Sequence, residues 1–151
     1  MTAEEIVVDT NVFIVSLIDN SRLNQEEQKQ RPLATTYIDG LEIGHYLIHL
    51  PRIALVEIAG VIRKKAGPAI AAAVKNRLAQ WVAQELIRLY DLEESRMVTA
   101  TNLVMLHNLS RRRSLSAPDA TFIGLAEELG VPLITFEKYF TNVSPRALVP
   151  A

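Results

Sequence analysis

Short apolar runs alternate along the chain with longer segments in which apolar residues recur at every third or fourth position. The short runs predict strands, whereas the spacing of three to four residues predicts amphipathic helices. The predicted strands cover residues 6–9, 45–50, 86–90 and 131–135. The predicted helices cover residues 11–19, 32–43, 51–65, 68–85, 93–109 and 118–129. This alternation indicates an α/β fold with a parallel sheet that is covered on both faces.

Three further segments complete the predicted fold. Residues 20–31 are polar apart from Leu23, so we expect a loop or a frayed helical end there and regard it as the best candidate for a mobile segment. Residues 138–142 predict a single helical turn, and 147–149 predict an edge strand, so the sheet has four to five strands. The 151 residues are enough to bury a core, and we expect a single domain over 1–151.

Composition restricts the classes of protein that this chain can represent. Hydrophobic residues make up 49% of the chain, yet no apolar run approaches the roughly 18–20 residues of a membrane span. The N-terminal residues carry two acids and no base, so we expect no secretory signal. The absence of cysteine excludes disulfides and thiolate metal sites and agrees with a cytoplasmic location. The net charge of −1 argues against a strongly basic coat for nucleic acid, although local basic patches remain compatible with it.

Four acidic residues stand where the predicted fold would bring them together. Asp9 is the last residue of the first predicted strand, and Glu137 lies just past the strand predicted at 131–135. The carboxyl edge of a parallel sheet is where ligands bind in open α/β folds. Glu57 lies on or beside the apolar stripe of its helix, where an unpaired carboxylate costs several kcal/mol, and Asp119 lies in a first helical turn.

Each of these acids also has a simpler interpretation. Asp is a favoured N-cap residue, which would explain Asp9 alone, and a carboxylate in a first turn is stabilised by the helix dipole, which would explain Asp119. Glu57 could extend its carboxylate into solvent or pair with an arginine, and an exposed Glu such as Glu137 is ordinary after a strand. Together, however, clustered carboxylates are the ligands that Mg²⁺ and Mn²⁺ prefer, and such ions can support phosphodiester cleavage.

The order of these motifs resembles the PIN-domain family of metal-dependent ribonucleases. The resembling segments are Val8–Phe13, Val56–Val61 with the basic end of its helix, Asp119–Ala126 and Leu133–Phe140. The resemblance spans about residues 6–140 and implies a three-layer α/β/α fold whose acids bind Mg²⁺ or Mn²⁺ and cleave RNA. By motif, Asp9, Glu57 and Asp119 match the central metal-site positions. Glu137 matches the fourth position, where the family more often has Asp.

The polar residues beside these acids also have two interpretations. Thr10, Asn11 and Thr135 can orient the acids or a bound water, or they can serve as caps, which explains Thr10 and Asn11 equally well. Two basic segments could position RNA phosphates, and each is equally well explained as an ordinary solvated surface. Their residues are Arg63, Lys64, Arg111, Arg112 and Arg113.

The resemblance therefore implies a divalent-metal-dependent endoribonuclease. Many small members of the family are VapC-type toxins, which are homodimers restrained by an antitoxin protein, so those partners are expected here beside RNA. The alternative is a catalytically weak PIN-like module that binds RNA or protein, which the Glu at position 137 keeps open. A phosphatase or response-regulator-like domain that uses Asp9 is a third interpretation, but it gives Glu57 no role.

Overall fold

The computed structural model describes residues 2–107 and 115–151, and within them the chain forms five strands, six α-helices and two 3₁₀ turns. The strands are β1 (Glu4–Val8), β2 (Tyr46–Pro51), β3 (Ile87–Tyr90), β4 (Leu133–Ile134) and β5 (Ala147–Leu148). The helices are α1 (Thr10–Leu17), α2 (Gln25–Glu42), α3 (Ile53–Ala66), α4 (Pro68–Ala83), α5 (Glu94–Leu106) and α6 (Ala117–Leu129). The 3₁₀ turns are Asn20–Arg22 and Lys138–Asn142.

The five strands form one parallel sheet in the order β3-β2-β1-β4-β5. From the central β1 the chain moves outward to β2 and β3, and then returns to add β4 and β5 on the other side of β1. The direction of winding therefore reverses between β1 and β4. In open α/β sheets, such a switch point opens a crevice at the carboxyl ends of the strands, where ligands bind.

Helices cover both faces of this sheet. Because crossovers between parallel strands are right-handed, the outward path places α1 to α4 on one face, and the return path places α5 and α6 on the other. The packing agrees, since α1 contacts α2 and α3, α3 contacts α4, and α5 contacts α6. The apolar residues of β1 are fully buried between these layers together with Phe13 and Phe122. The predicted α/β fold with a parallel sheet between two helical layers is thus confirmed.

The prediction of a loop or mobile segment at 20–31 is wrong for most of that segment, because α2 begins at Gln25. A reciprocal cap starts the helix: the Asn24 side chain accepts from the Glu27 backbone N–H at 2.8 Å, and the Glu27 carboxylate accepts from the Asn24 N–H at 3.0 Å. Glu27 also binds Lys65 Nζ of α3 at 2.7 Å. Pro32, expected to begin the helix, lies inside it instead.

Smaller differences concern the ends of elements. Pro51 is the last residue of β2 and does not belong to α3, which begins at Ile53. Strand β4 contains two residues where five were predicted. The predicted turn at 138–142 is present as a 3₁₀ turn. No helix in the described part of the chain is long and apolar enough to cross a membrane.

Candidate active site

Asp9 lies at the carboxyl end of the central strand, on the β4 side of the switch point. Its backbone N–H donates to the Ile134 carbonyl at 2.9 Å, which continues the pairing of β1 with β4 beyond the strand itself. Its Oδ1 accepts from the Thr10 backbone N–H at 2.8 Å, so Asp9 is the N-cap of α1, as its simpler interpretation proposed. Its Oδ2 accepts from Thr135 Oγ1 at 2.8 Å, so the carboxylate also joins the ends of two strands.

The environment of Asp9 disfavours its charge. The residue is only 5% exposed, and this burial is the main cause that raises its pKa from 3.8 to about 7. The hydrogen bond from Thr135 opposes the rise, whereas the nearby charges of Asp119 and Glu57 add to it. Three acids from three separate segments of the chain therefore act on one another electrostatically at the carboxyl edge of the sheet, although Asp9 and Asp119 are 110 positions apart in the sequence.

Glu57 extends from the middle of α3 toward the start of α1. Its Oε2 accepts from Thr10 Oγ1 at 3.0 Å. Thr10 therefore contacts two acids, because its hydroxyl donates to Glu57 and its backbone N–H donates to Asp9. Glu57 is half-buried, and its pKa is raised mainly by that burial, against the hydrogen bond from Thr10 and with a contribution from the charge of Asp119. Thr10 was interpreted either as a helix cap or as a group that orients the acids. Its hydroxyl contacts Glu57, which agrees with the second interpretation.

Asp119 is held from a direction that the sequence analysis missed. Ser116 is the N-cap of α6, and its side chain accepts from the Asp119 backbone N–H, which places Asp119 at the third helical position and not the second. The Tyr139 hydroxyl donates to Asp119 Oδ2 at 2.7 Å. Partial burial, this hydrogen bond and the charge of Asp119 all raise the pKa of Tyr139 above its ordinary value, so the phenol remains a donor.

Glu137 is linked to the first helix through Asn11. Its backbone N–H donates to Thr135 Oγ1 at 3.0 Å, and its Oε1 accepts from Asn11 Nδ2 at 3.3 Å. Thr135 is fully buried, and its hydroxyl bridges Asp9 to the backbone of Glu137, because it donates to the first and accepts from the second. The structure therefore places the three polar neighbours singled out in the sequence, Thr10, Asn11 and Thr135, in contact with the acids.

The acids do not bind one another directly. Thr10 links Asp9 to Glu57, and Thr135 links Asp9 to the backbone of Glu137. Among residues 2–107 and 115–151, no three His, Asp or Glu side chains are grouped so that they could hold a metal ion by themselves. The oxygen-only donor set nevertheless suits a hard cation, and Mg²⁺ is commonly bound by one or two carboxylates while it keeps several waters. The acids fit that hydrated mode of binding, whereas a cage built from protein ligands alone is not formed.

The basic residues predicted to contact RNA have two outcomes. Arg63 and Lys64 are exposed in the last turn of α3, the helix that carries Glu57. Arg111, Arg112 and Arg113 lie outside the described residues.

Tyr139 is the site residue that sequence analysis missed. Its position in a predicted turn two residues after Glu137 was the available signal, but the partner of a phenol depends on how distant segments pack.

Comparison with known proteins assigns the chain to a family. The family model described as the PIN domain matches residues 6–144, so the chain belongs to the PIN-domain family, a family of nucleases. The search of curated proteins gave no significant match.

Three solved structures illustrate the likeness of fold. VapC20 of Mycobacterium tuberculosis, described as a toxin that cleaves the sarcin–ricin loop, has 16% identity and a TM-score of 0.64, with 91% of this chain and 94% of that chain covered. FitAB bound to an IR36 DNA fragment has 17% identity and a TM-score of 0.64, with 96% and 94% covered. PAE2754 of Pyrobaculum aerophilum has 16% identity and a TM-score of 0.56, with 99% and 90% covered.

Proposed function

We propose that this protein is a divalent-metal-dependent endoribonuclease that hydrolyses RNA phosphodiester bonds. The observation that carries the proposal is the mutual influence of Asp9, Glu57 and Asp119 at the switch point of the sheet. Burying Asp9 beside two other acids destabilises its charge, and a divalent cation would offset that cost. Structural acids that serve only the fold would more commonly pair with a lysine or arginine.

Mg²⁺ or Mn²⁺ would be held by Asp9 and Asp119, with Glu57 and Glu137 as further ligands directly or through water. When bound, the ion would polarise the phosphodiester and assist the attack of a water molecule. The protein's own groups would prepare this site. Thr135 and the Thr10 backbone fix both oxygens of Asp9, and Tyr139 fixes one oxygen of Asp119. Such fixed ligands lose little conformational freedom when an ion arrives.

The direct test is cleavage of a single-stranded RNA with Mg²⁺ or Mn²⁺ and with EDTA. Asp9→Asn keeps the shape of the side chain and removes its charge, so we expect cleavage to fall at least about 100-fold. Asp39→Asn on the exposed surface of α2 makes the same chemical change away from the site and should leave cleavage unchanged. Equal cleavage by wild type and Asp9→Asn, or full cleavage in EDTA, would contradict the proposal.

We further propose that the enzyme is the toxin of a toxin–antitoxin pair, that it acts in the cytoplasm as a single-domain homodimer, and that an antitoxin protein restrains it. The support is the family and the fold shared with VapC20, a toxin by its description. Expression in a bacterial host should arrest growth, and Asp9→Asn should relieve the arrest. Arrest that persists in this folded variant would exclude a nuclease-dependent toxin role.

A second candidate is a catalytically weak module that binds RNA or protein. The observation in its favour is that the described acids form no group of three that could hold a metal by themselves, and Glu137 instead accepts from Asn11. Calorimetric titration with Mn²⁺ separates the two candidates. The nuclease requires binding that Asp9→Asn and Asp119→Asn abolish, whereas a module would show no binding that depends on these residues.

A further inference from the structure

A groove of about 470 Å³ opens beside the acidic site, between the N-terminal half of α2 and the segment that follows β4. Glu137 and Tyr139 belong to its lining, and these two residues contact Asn11 and Asp119 of the acidic site. The groove is therefore continuous with the acids. Its volume is within the roughly 300–1,000 Å³ of pockets that hold small ligands, so it can accept a nucleotide-sized group.

Charged groups of both signs line the groove on each of its walls: Glu26 and Lys29 belong to α2, and Glu137 and Lys138 to the segment after β4. Lys29 lines it from α2, and Lys138 lines it from the 3₁₀ turn that follows Glu137. Both lysines are exposed, and within the described part of the chain neither forms an ion pair, whereas Lys65 is paired with Glu27. The two ammonium groups lie on opposite walls, where each can contact one phosphate of a strand, while the carboxylates of Glu26 and Glu137 leave the groove without a net positive charge.

The floor of the groove also offers apolar and aromatic surface. Phe136 lines it directly after β4, with Tyr139 three residues later. Both rings are partly buried and packed against the core, and Tyr139 meets Phe140 edge to face at 4.9 Å between ring centres. Rings that are held in this way can stack on an unpaired base. Lysines at a groove's edges with aromatic rings in its floor are the usual composition of sites for single-stranded nucleic acid.

We propose that this groove holds the segment of single-stranded RNA adjoining the phosphodiester that is cleaved. Lys29 and Lys138 contact backbone phosphates, and Phe136 contacts a base. The inference rests on the proposed ribonuclease function and deepens it, because it assigns the strand a path that leaves the acids between α2 and β4. A duplex is excluded from this path, since its bases are already stacked and paired and cannot reach the floor of the groove.

The test measures binding of a fluorescent single-stranded RNA in EDTA, where the proposed cleavage cannot occur. Lys29→Glu and Lys138→Glu are compared with Lys75→Glu, which makes the same charge change on exposed α4 outside the groove. We expect each groove variant to weaken binding about five-fold or more. The slope of the logarithm of the binding constant against the logarithm of salt concentration should also decrease in magnitude by about one, with Lys75→Glu close to wild type. Circular dichroism and Tm verify that all variants are folded.

A second measurement locates the strand directly. Because the chain contains no cysteine, Gln30→Cys, which lines the groove, and Lys75→Cys, which does not, can each carry one photo-crosslinker. Crosslinking of single-stranded RNA at position 30 and not at 75, and its absence with duplex RNA, supports the groove. Equal crosslinking at both positions, or groove variants that bind like Lys75→Glu, overturns it and leaves the groove to a peptide-like occupant.

These outcomes are separable from those of the nuclease test. Loss of RNA binding in the groove variants, together with wild-type protein that leaves RNA intact in Mn²⁺, would remove the proposed activity while the groove assignment stands. Metal-dependent cleavage that Lys29→Glu and Lys138→Glu leave unchanged, together with unchanged binding, would remove the groove while the activity stands.

Discussion

Asp9 couples the charge of the acidic site to the stability of the fold, because its side chain is buried and its pKa lies near 7. The same carboxyl in the unfolded chain has a pKa near 3.8. Between these values the folded protein binds a proton that the unfolded chain has released. The contribution of Asp9 to stability is therefore fully present below pH 4 and is lost as the pH rises through about 7.

The first prediction follows from this linkage. In EDTA, Asp9→Asn should be more stable than wild type at pH 8, because the amide accepts from the Thr10 N–H and donates to Thr135 without a buried charge. The difference should shrink toward pH 5, where Asp9 itself holds a proton. Urea unfolding at both pH values measures this, with Asp39→Asn as the exposed control. A stability difference that does not change with pH would show that Asp9 does not titrate as described.

Tyr139 supports a second prediction at the scale of one residue. Tyr139→Phe removes the donor to Asp119 Oδ2 and leaves the ring packing in place. Since partners that orient metal ligands affect affinity strongly, we expect Mn²⁺ binding to weaken about ten-fold, with the free energy of unfolding lowered by about 1 kcal/mol. Tyr37→Phe, on partly buried α2, is the matched control. Calorimetric titration with Mn²⁺ measures the affinity of wild type, Tyr139→Phe and Tyr37→Phe. Equal affinities would refute a positioning role for Tyr139.

The chemistry of single residues was predictable only in part. The change from apolar to polar residues marked Asp9 and Glu137 as strand ends, and the apolar stripe around Glu57 marked it as unusual. The bonds from Thr10 to Glu57 and from Tyr139 to Asp119 were not predictable, because they join residues 47 and 20 positions apart. Those contacts depend on the strand order and on how helices lie across the sheet, and neither can be inferred from local patterns.

At the scale of elements, the periodicity identified the helices and strands well except at the start of α2. There the polar residues 25–31 form helix because a capping box and an ion pair stabilise them, which outweighs the internal Pro32. The side chains of Glu27 and Lys65 are only 15% and 31% exposed. The N-terminal half of α2, which also forms one wall of the groove, therefore depends on a contact with α3.

The third prediction tests that contact. Glu27→Ala removes both the return bond of the capping box and the partner of Lys65, so we expect the free energy of unfolding to fall by about 1–2 kcal/mol. Hydrogen exchange should accelerate in residues 25–31 before it does so in β1. Glu26→Ala, an exposed neighbour in the same turn, is the control. If both variants lose the same stability and exchange alike, α2 is held by its apolar face alone.

At the scale of the whole molecule, helix α5 contrasts with the other helices. Among its described residues only Ala100 is buried. Large apolar side chains near its two ends are instead exposed. They are Met97, Val98, Met105 and Leu106, with exposures of 51% to 76%. Val98 and Met105, seven residues apart, lie on the same side of the helix, and Met97 and Leu106 lie at the two edges of that side. Exposed apolar surface of this kind commonly marks an interface, so α5 is the surface that the proposed homodimer would use.

The fourth prediction applies to this face. Val98→Lys introduces a charge into the contact of each copy with the other, so we expect a shift from dimer to monomer with little change in the fold of each copy. Leu148→Lys makes a comparable change at β5, at an equally exposed apolar position away from α5. Sedimentation velocity over a range of concentrations measures the mass of each protein. A wild type that stays monomeric would contradict the homodimer. A dimer that Val98→Lys leaves intact and Leu148→Lys dissociates would place the interface elsewhere than on α5.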